Sequence, residues 1–223
     1  HFTMGSWQVV SLNLPRIAYK ANGNDELLFE EAKRLMDAAV EVFKMKKKWM
    51  SLVVKNNRIP FATQHPIDPK TGARGPPAVD FDGLSFVIGV VGGNEMAQWH
   101  TGSQLHESPE AVKILVKLIL EMQKHKKHLE EKSGLKLALA RTPAESTAQR
   151  FAIADLLTEN YRLKAEKLVK GDLGDARASL TEGAKDVSVY YTNGTHAYVG
   201  AKIGLLDRIN MEQKFFPLLN GGN

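Results

Sequence analysis

Cysteine is absent from all 223 residues, so disulfides, thiolate-held zinc and thiol chemistry are excluded within this stretch. Long apolar runs are missing as well. None approaches the roughly 18 residues of a membrane span, and the opening residues do not resemble a signal peptide. Aromatic residues make up only 8%, and they do not interleave with basic residues in the strand pattern of a nucleic-acid platform. The net charge of +5 and pI near 9.3 instead come largely from helical lysine runs at 44–48 and 124–127, which read as solvated helix ends. What is present is ordinary for a globular protein: 43% apolar and 25% charged residues can bury a core as one large or two small domains. The opening His-Phe-Thr-Met-Gly and closing Asn-Gly-Gly-Asn do not read as domain termini, and a piece of something larger is expected.

Residues 7–14 form an apolar, β-branched run closed by Pro15, the pattern of a strand buried on both faces. After the polar turn 21–25, Leu28, Ala32, Leu35, Met36, Ala39, Val40 and Phe43 recur at three and four, predicting an amphipathic helix. Prolines 60, 66, 69, 76 and 77 with Gly72 and Gly75 predict a long loop over 58–82. A second buried strand is predicted at 84–91, entering Gly92-Gly93 and a short helix over 94–100. Ser108-Pro109-Glu110 starts a helix whose apolar stripe runs from Ala111 to Leu129 before Gly134 stops it. A third strand at 135–141 and a helix at 143–157 follow. Residues 159–186 are polar with weak helical signals and read as an insertion, and 187–191 predict a fourth strand.

This alternation predicts an α/β fold with a parallel sheet and helices outside. Ligands in such folds gather at the C-terminal ends of strands. Residues 14–16, Gly92-Gly93, 142–147 and 192–196 would all open on that side.

The junction at 141–150 admits two readings. Thr142, with Pro143 at the first helical position and Glu145 three residues after the threonine, fits a capping box that satisfies the helix internally. The same residues fit an anion site, because the first N–H groups of a helix lack internal partners and carry the positive end of its dipole. Glu145 opposes a phosphate unless its carboxylate folds back onto the cap. Ala144, Ser146 and Thr147 are small enough to leave the mouth open.

Other candidates are weaker. Gly92-Gly93 lacks the GxGxxG spacing and fits close helix packing better than a ligand. His125 and His128 lack a recognisable carboxylate-bearing metal motif, so no metal site is expected. His100, His106 and Glu107 fit solvated or capping roles. His196, at the rim, fits a general acid, a phosphate donor or a satisfied loop residue.

Three segments, Gln8-Val-Val-Ser-Leu-Asn-Leu-Pro-Arg-Ile-Ala18, Arg141-Thr-Pro-Ala-Glu-Ser-Thr147 and Tyr190-Tyr-Thr-Asn-Gly-Thr-His196, resemble in order and spacing the anaerobic (class III) ribonucleoside-triphosphate reductases, a family of glycyl radical enzymes. Phe86-Val-Ile-Gly-Val-Val-Gly-Gly-Asn-Glu95, His106-Glu-Ser108 and Leu219-Asn-Gly-Gly-Asn223 extend the resemblance over nearly the whole chain.

The resemblance implies a ten-stranded α/β barrel of two half barrels around a finger loop, with this chain as a single partial catalytic domain over 1–223, the second half barrel. It implies a cytoplasmic enzyme that converts ribonucleoside triphosphates to deoxyribonucleotides by radical chemistry. Substrate phosphates would sit at Thr142, Pro143, Ala144, Glu145, Ser146 and Thr147, while Asn13 and Asn193 line the nucleotide pocket. It further implies a cysteine thiyl radical, a glycyl radical installed by an S-adenosylmethionine iron-sulfur activase and a four-cysteine zinc site, all expected outside this segment. Expected partners are the substrate, the rest of the reductase or further copies, and the activase, with no nucleic acid as partner and no membrane. The alternative is a noncatalytic nucleotide- or phosphate-binding module with the same half-barrel fold.

Overall fold

The computed structural model describes residues 5–142, 144–183 and 187–219. Strand β1, Ser6–Asn13, leads directly into helix α1, Leu14–Ala21. Pro15, expected to close a strand, instead sits in the first turn of α1, where its missing N–H is not needed. The Asn13 side chain caps the helix by accepting from Arg16 N at 3.2 Å. α1 is too short for its periodicity to stand out in the sequence, yet it buries Leu14, Ile17, Ala18, Tyr19 and Ala21. Asn22, at φ 49°, ends it in the left-handed region, and the chain turns into α2, Asp25–Lys55. α2 buries the expected stripe through Phe43, except that Leu35 is only half-buried, and then continues with no further buried side chain, carried by residues of good helix propensity such as lysine and methionine.

Beyond α2, a short helix α3, Pro60–Thr63, and a 3-10 turn at Phe81–Gly83 interrupt the proline- and glycine-rich stretch. Strand β2, Ser85–Val91, and helix α4, Gly93–Thr101, follow. Helix α5, Pro109–Ser133, is capped by Ser108 and ended by left-handed Gly134. Then come β3, Leu137–Arg141, α6, Glu145–Leu157, and α7, Glu159–Ala165. The described chain finishes with β4, Lys170–Gly171, α8, Leu173–Thr181, β5, Val189–Tyr190, and α9, Leu205–Glu212, before a 3-10 turn at Phe216–Leu218.

The protein has an α/β fold in which parallel strands alternate with helices. Its main sheet has the order β1-β2-β3, all parallel. Asn13 pairs with Val91 and Val90 with Arg141, which brings the three C-terminal strand ends level. β2 is central and mostly buried, whereas β1, read from sequence as buried on both faces, leaves Val9 39% exposed because it lies at the sheet edge. α2 and α5 pack against the sheet and each other around Leu28, Met36, Phe43, Phe86, Leu115 and Leu118.

The fourth strand expected at 187–191 does not join this sheet. Only Val189–Tyr190 enters a ladder, pairing antiparallel with β4 in a separate two-stranded sheet. The backbone that follows has other partners: Tyr191 N donates to Ala148 O at 3.3 Å, while Thr192 O and Gly194 O accept from Gly92 N and Gly93 N at 2.8 and 2.9 Å. Those bonds draw the chain across the end of β2 instead of along β3. A second core forms beneath it from Tyr19, Ala152, Leu156, Ala165, Leu168, Ala176 and Tyr191, so α7 and α8 contribute buried side chains.

One lysine departs from the solvated-run expectation. Lys126 is 8% exposed and donates to Glu130 Oε2 at 2.8 Å and to Leu137 O at 3.4 Å, tying α5 to the start of β3. Among the described residues no helix is long and apolar enough to cross a membrane.

Candidate functional site

The rim segments predicted from sequence meet at the C-terminal end of the sheet. Gly92, at φ +80°, shows how tightly: a Cβ there would lie 2.5 Å from Pro15 Cδ, and one at Gly93 would lie 2.9 Å from Gly194 O. Protein fills the space at both glycines, which explains them without a ligand. Glu95 holds the same loop from below. Its fully buried carboxylate accepts from Thr192 N at 2.9 Å, Thr192 Oγ1 at 2.7 Å and Asn94 Nδ2 at 3.0 Å.

The capping box is not formed. Ala144, at φ −141° and ψ 66°, is the N-cap of α6 and offers no side-chain bond; Glu145 is the first helical residue. Thr142 is turned inward over β2, because Gly89 leaves room for it: a Cβ at 89 would lie 1.8 Å from Thr142 Oγ1. Ser11 Oγ donates to Thr142 Oγ1 at 3.4 Å from the neighbouring strand. Pro143 lies outside the described residues. Glu145 does not fold back onto the cap either, since its Oε1 accepts from Asn193 Nδ2 at 3.1 Å. The N–H groups of Glu145, Ser146 and Thr147 therefore have no acceptor among the described residues, and the first helical bond is Ala148 N to Ala144 O at 2.8 Å.

A cleft of about 1140 Å³ opens at this helix mouth. Glu145, Ser146 and Asn193 line it, together with Gln149, His196, Arg208 and Glu212. Thr142, Ala144 and Thr147 lie beside its wall in the chain without lining it. His196 Nδ1 donates to Asn193 O at 2.9 Å, and its Nε2 lies 3.8 Å from Glu212 Oε2. Asn193 Oδ1 and Thr195 Oγ1 are buried with no hydrogen-bond partner in the described structure.

Asn13 belongs to a different cluster. Its Oδ1 caps α1 and its Nδ2 donates to Asp155 Oδ2 at 2.9 Å, so both polar atoms are engaged within the protein. Asp155, fully buried, also accepts from Arg16 Nε at 2.5 Å and from the Tyr191 hydroxyl at 2.9 Å. Tyr19 and Tyr191 share a hydroxyl bond of 2.9 Å. Burial raises the Asp155 carboxyl above its ordinary value, against the donors Asn13, Arg16 and Tyr191, and burial likewise raises both tyrosine hydroxyls. Sequence reasoning missed Asp155, Glu95 and Arg141. The first two are acidic residues on helices with no motif of their own, and only the fold shows what they hold.

The family model for anaerobic ribonucleoside-triphosphate reductase matches residues 1–223. The chain belongs to that family. It is 25% identical over 224 residues to the anaerobic ribonucleoside-triphosphate reductase of Salmonella typhimurium, covering 96% of this chain and 28% of that protein. It is 24% identical to the Escherichia coli enzyme with the same coverage. Among solved structures, an anaerobic ribonucleotide reductase superposes on 100% of this chain and 30% of its own, with a TM-score of 0.74 and 15% identity. The Thermotoga maritima anaerobic reductase with citrate in the active site gives a TM-score of 0.71 at 16% identity, over 98% of this chain and 35% of its own. The chain thus spans about 28% of the curated relatives and adopts the fold of the matching region.

The four-cysteine zinc site and the thiyl radical implied by the family do not fit these residues, since cysteine is absent. Among the described residues no three His, Asp or Glu side chains are grouped as metal ligands.

Proposed function

We propose that this chain forms part of the catalytic barrel of an anaerobic ribonucleoside-triphosphate reductase and supplies its substrate-phosphate site at the N-terminus of α6. The observation that carries the reading is the uncapped first turn of α6, whose Glu145, Ser146 and Thr147 N–H groups have no acceptor among the described residues, with Glu145 and Ser146 lining the cleft. An oligophosphate satisfies those donors and the helix dipole together. The Asn193 amide supports the reading by holding the Glu145 carboxylate to one side. A related enzyme from Thermotoga maritima has citrate, itself a polyanion, in its active site.

In this proposal the chain's residues bind and orient. The α6 amides take phosphate oxygens, and Asn193, which lines the cleft, faces the nucleoside. Asn13 acts through structure, since its amide is spent on Asp155 and on the α1 cap. The radical cysteine, the glycyl radical with its activase, and the cytoplasmic setting complete the proposal as properties of the whole reductase. No step is assigned to them within these residues.

Nucleoside triphosphate titration tests the site. Ser146→Glu and Thr147→Glu each weaken binding by roughly tenfold or more, because they place charge at the helix mouth. Lys127→Glu, on the exposed side of α5, changes it little. Equal losses from all three would show that diffuse basicity holds the ligand and would sink the proposal.

A further inference from the structure

Arg141 ends β3 only three residues before the α6 cap, and its side chain is 6% exposed. A buried guanidinium normally has its donors satisfied by an acceptor or a paired carboxylate. Here Nη1 has no hydrogen-bond partner among the described residues. The nearest carboxylate oxygen, Glu212 Oε2 on α9, is 3.7 Å away, outside hydrogen-bond distance. Glu212 is shared as well, with His196 Nε2 at 3.8 Å on its other side. The guanidinium is nonetheless held firmly: Phe216 stacks on it with 4.3 Å from Cζ to the ring centroid, and Gly194 packs against its Cβ. A ring over one face leaves the N–H edge as the part free to bind. Arg141 lies behind the cleft wall without lining it, and Glu212, 3.7 Å from its Nη1, lines the same cleft as Ser146 and Glu145.

We infer that Arg141 is the buried cation of this cleft, and that an oligophosphate seated on α6 displaces the Glu212 carboxylate to bond with it. The inference rests on the phosphate reading of α6 and adds to it a charged ligand and a resident counter-ion. Glu212 keeps the guanidinium neutralised while the cleft is empty, without the short bonds that would make it hard to displace. The incoming anion offers what Glu212 does not, oxygens at bonding distance in the planar geometry that favours arginine.

Tripolyphosphate is the probe, titrated calorimetrically into the full chain, with folding of each variant checked by circular dichroism. Glu212→Gln removes the competing charge at nearly constant shape and is expected to tighten binding several-fold. Arg141→Met is expected to weaken it roughly tenfold or more, and Arg141→Lys to retain part of the affinity. If Arg141→Met does not fold, Glu212→Gln decides alone: unchanged or weaker binding overturns the inference. Ser146→Glu separates the two ideas. Loss of binding with Ser146→Glu but no effect from Glu212→Gln overturns the Arg141 role and leaves the α6 site standing. Tighter binding with Glu212→Gln but no effect from Ser146→Glu supports Arg141 and overturns α6. No binding to either wild type or Glu212→Gln overturns both.

Discussion

The Tyr191 hydroxyl donates to Asp155 Oδ2 over 2.9 Å, fastening the chain that follows β5 to the buried face of α6. The same carboxylate takes Asn13 and Arg16, so one buried side chain fixes the β1–α1 turn, α6 and the rim loop relative to one another. Asp155→Ala is expected to cost about 3–5 kcal/mol, because it strands Asn13, Arg16 and Tyr191 together. Tyr191→Phe removes one donor and leaves the carboxylate its other partners, for about 1–3 kcal/mol. Urea unfolding of the two single variants and the double variant checks this. The pair is expected to be non-additive by at least about 0.5 kcal/mol, and strict additivity would show that they act separately.

Acidic residues give stability opposing slopes with pH. Glu31 is lowered from 4.5 to about 2, first by the Arg34 hydrogen bond and further by Lys20, against burial. Asp25 is lowered mainly by its bond from His100. Their stabilisation is complete above the unfolded values and is lost as pH falls through the lowered ones. Asp155 runs the other way, since its raised value lets the native state keep a proton that the unfolded chain has released. Its contribution falls as pH rises above 3.8 through that raised value. Melting temperatures from about pH 2 to about pH 7 check both signs. Glu31→Gln flattens the acid limb, and Asp155→Asn removes the opposing slope.

Much of this architecture was legible in sequence where periodicity is strong. The stripe from Leu28 to Phe43, the Ser108 cap, the Gly134 stop and the β2 run each appear as read. Legibility failed where a local signal had two physical outcomes. Pro15 ends a strand or begins a helix with equal local logic, and the register of Asn13 as cap decided it. Thr142 was equally able to cap α6 or pack inward, and the choice was made by a glycine more than fifty residues upstream, at position 89. The run at 187–191 has strand composition, but its place depends on the Ala148 carbonyl in α6 and on the Gly92 and Gly93 N–H donors after β2, which no local pattern encodes.

That glycine supplies a sharp test. Gly89→Ala places a methyl group where Thr142 Oγ1 now lies and 3.1 Å from Ser11 Oγ. Thr142 must swing outward or β2 must shift, at a cost of about 1–3 kcal/mol. The double variant Gly89→Ala, Thr142→Ala is expected to recover most of the loss, since the space is then shared by two small groups. A thermal melt that shows no recovery would mean that the strain comes from elsewhere in the sheet.

Glu95 and Lys170 form the other buried anchor of the rim, and their roles are unequal. The carboxylate satisfies the Thr192 N–H and hydroxyl and the Asn94 amide, while Lys170 Nζ stands 3.9 Å off and is also held by Gln98, Gln104 and the Tyr198 ring. Glu95→Ala leaves buried donors on Thr192 without an acceptor and is expected to cost about 3–5 kcal/mol. Lys170→Met leaves Glu95 with all three hydrogen bonds and is expected to cost less, about 1–2 kcal/mol. Hydrogen exchange at the Thr192 amide separates the two: it quickens strongly in Glu95→Ala and only slightly in Lys170→Met. Equal exchange in both would make the ion pair, and not the carboxylate's hydrogen bonds, the element that holds Asn193 at the cleft.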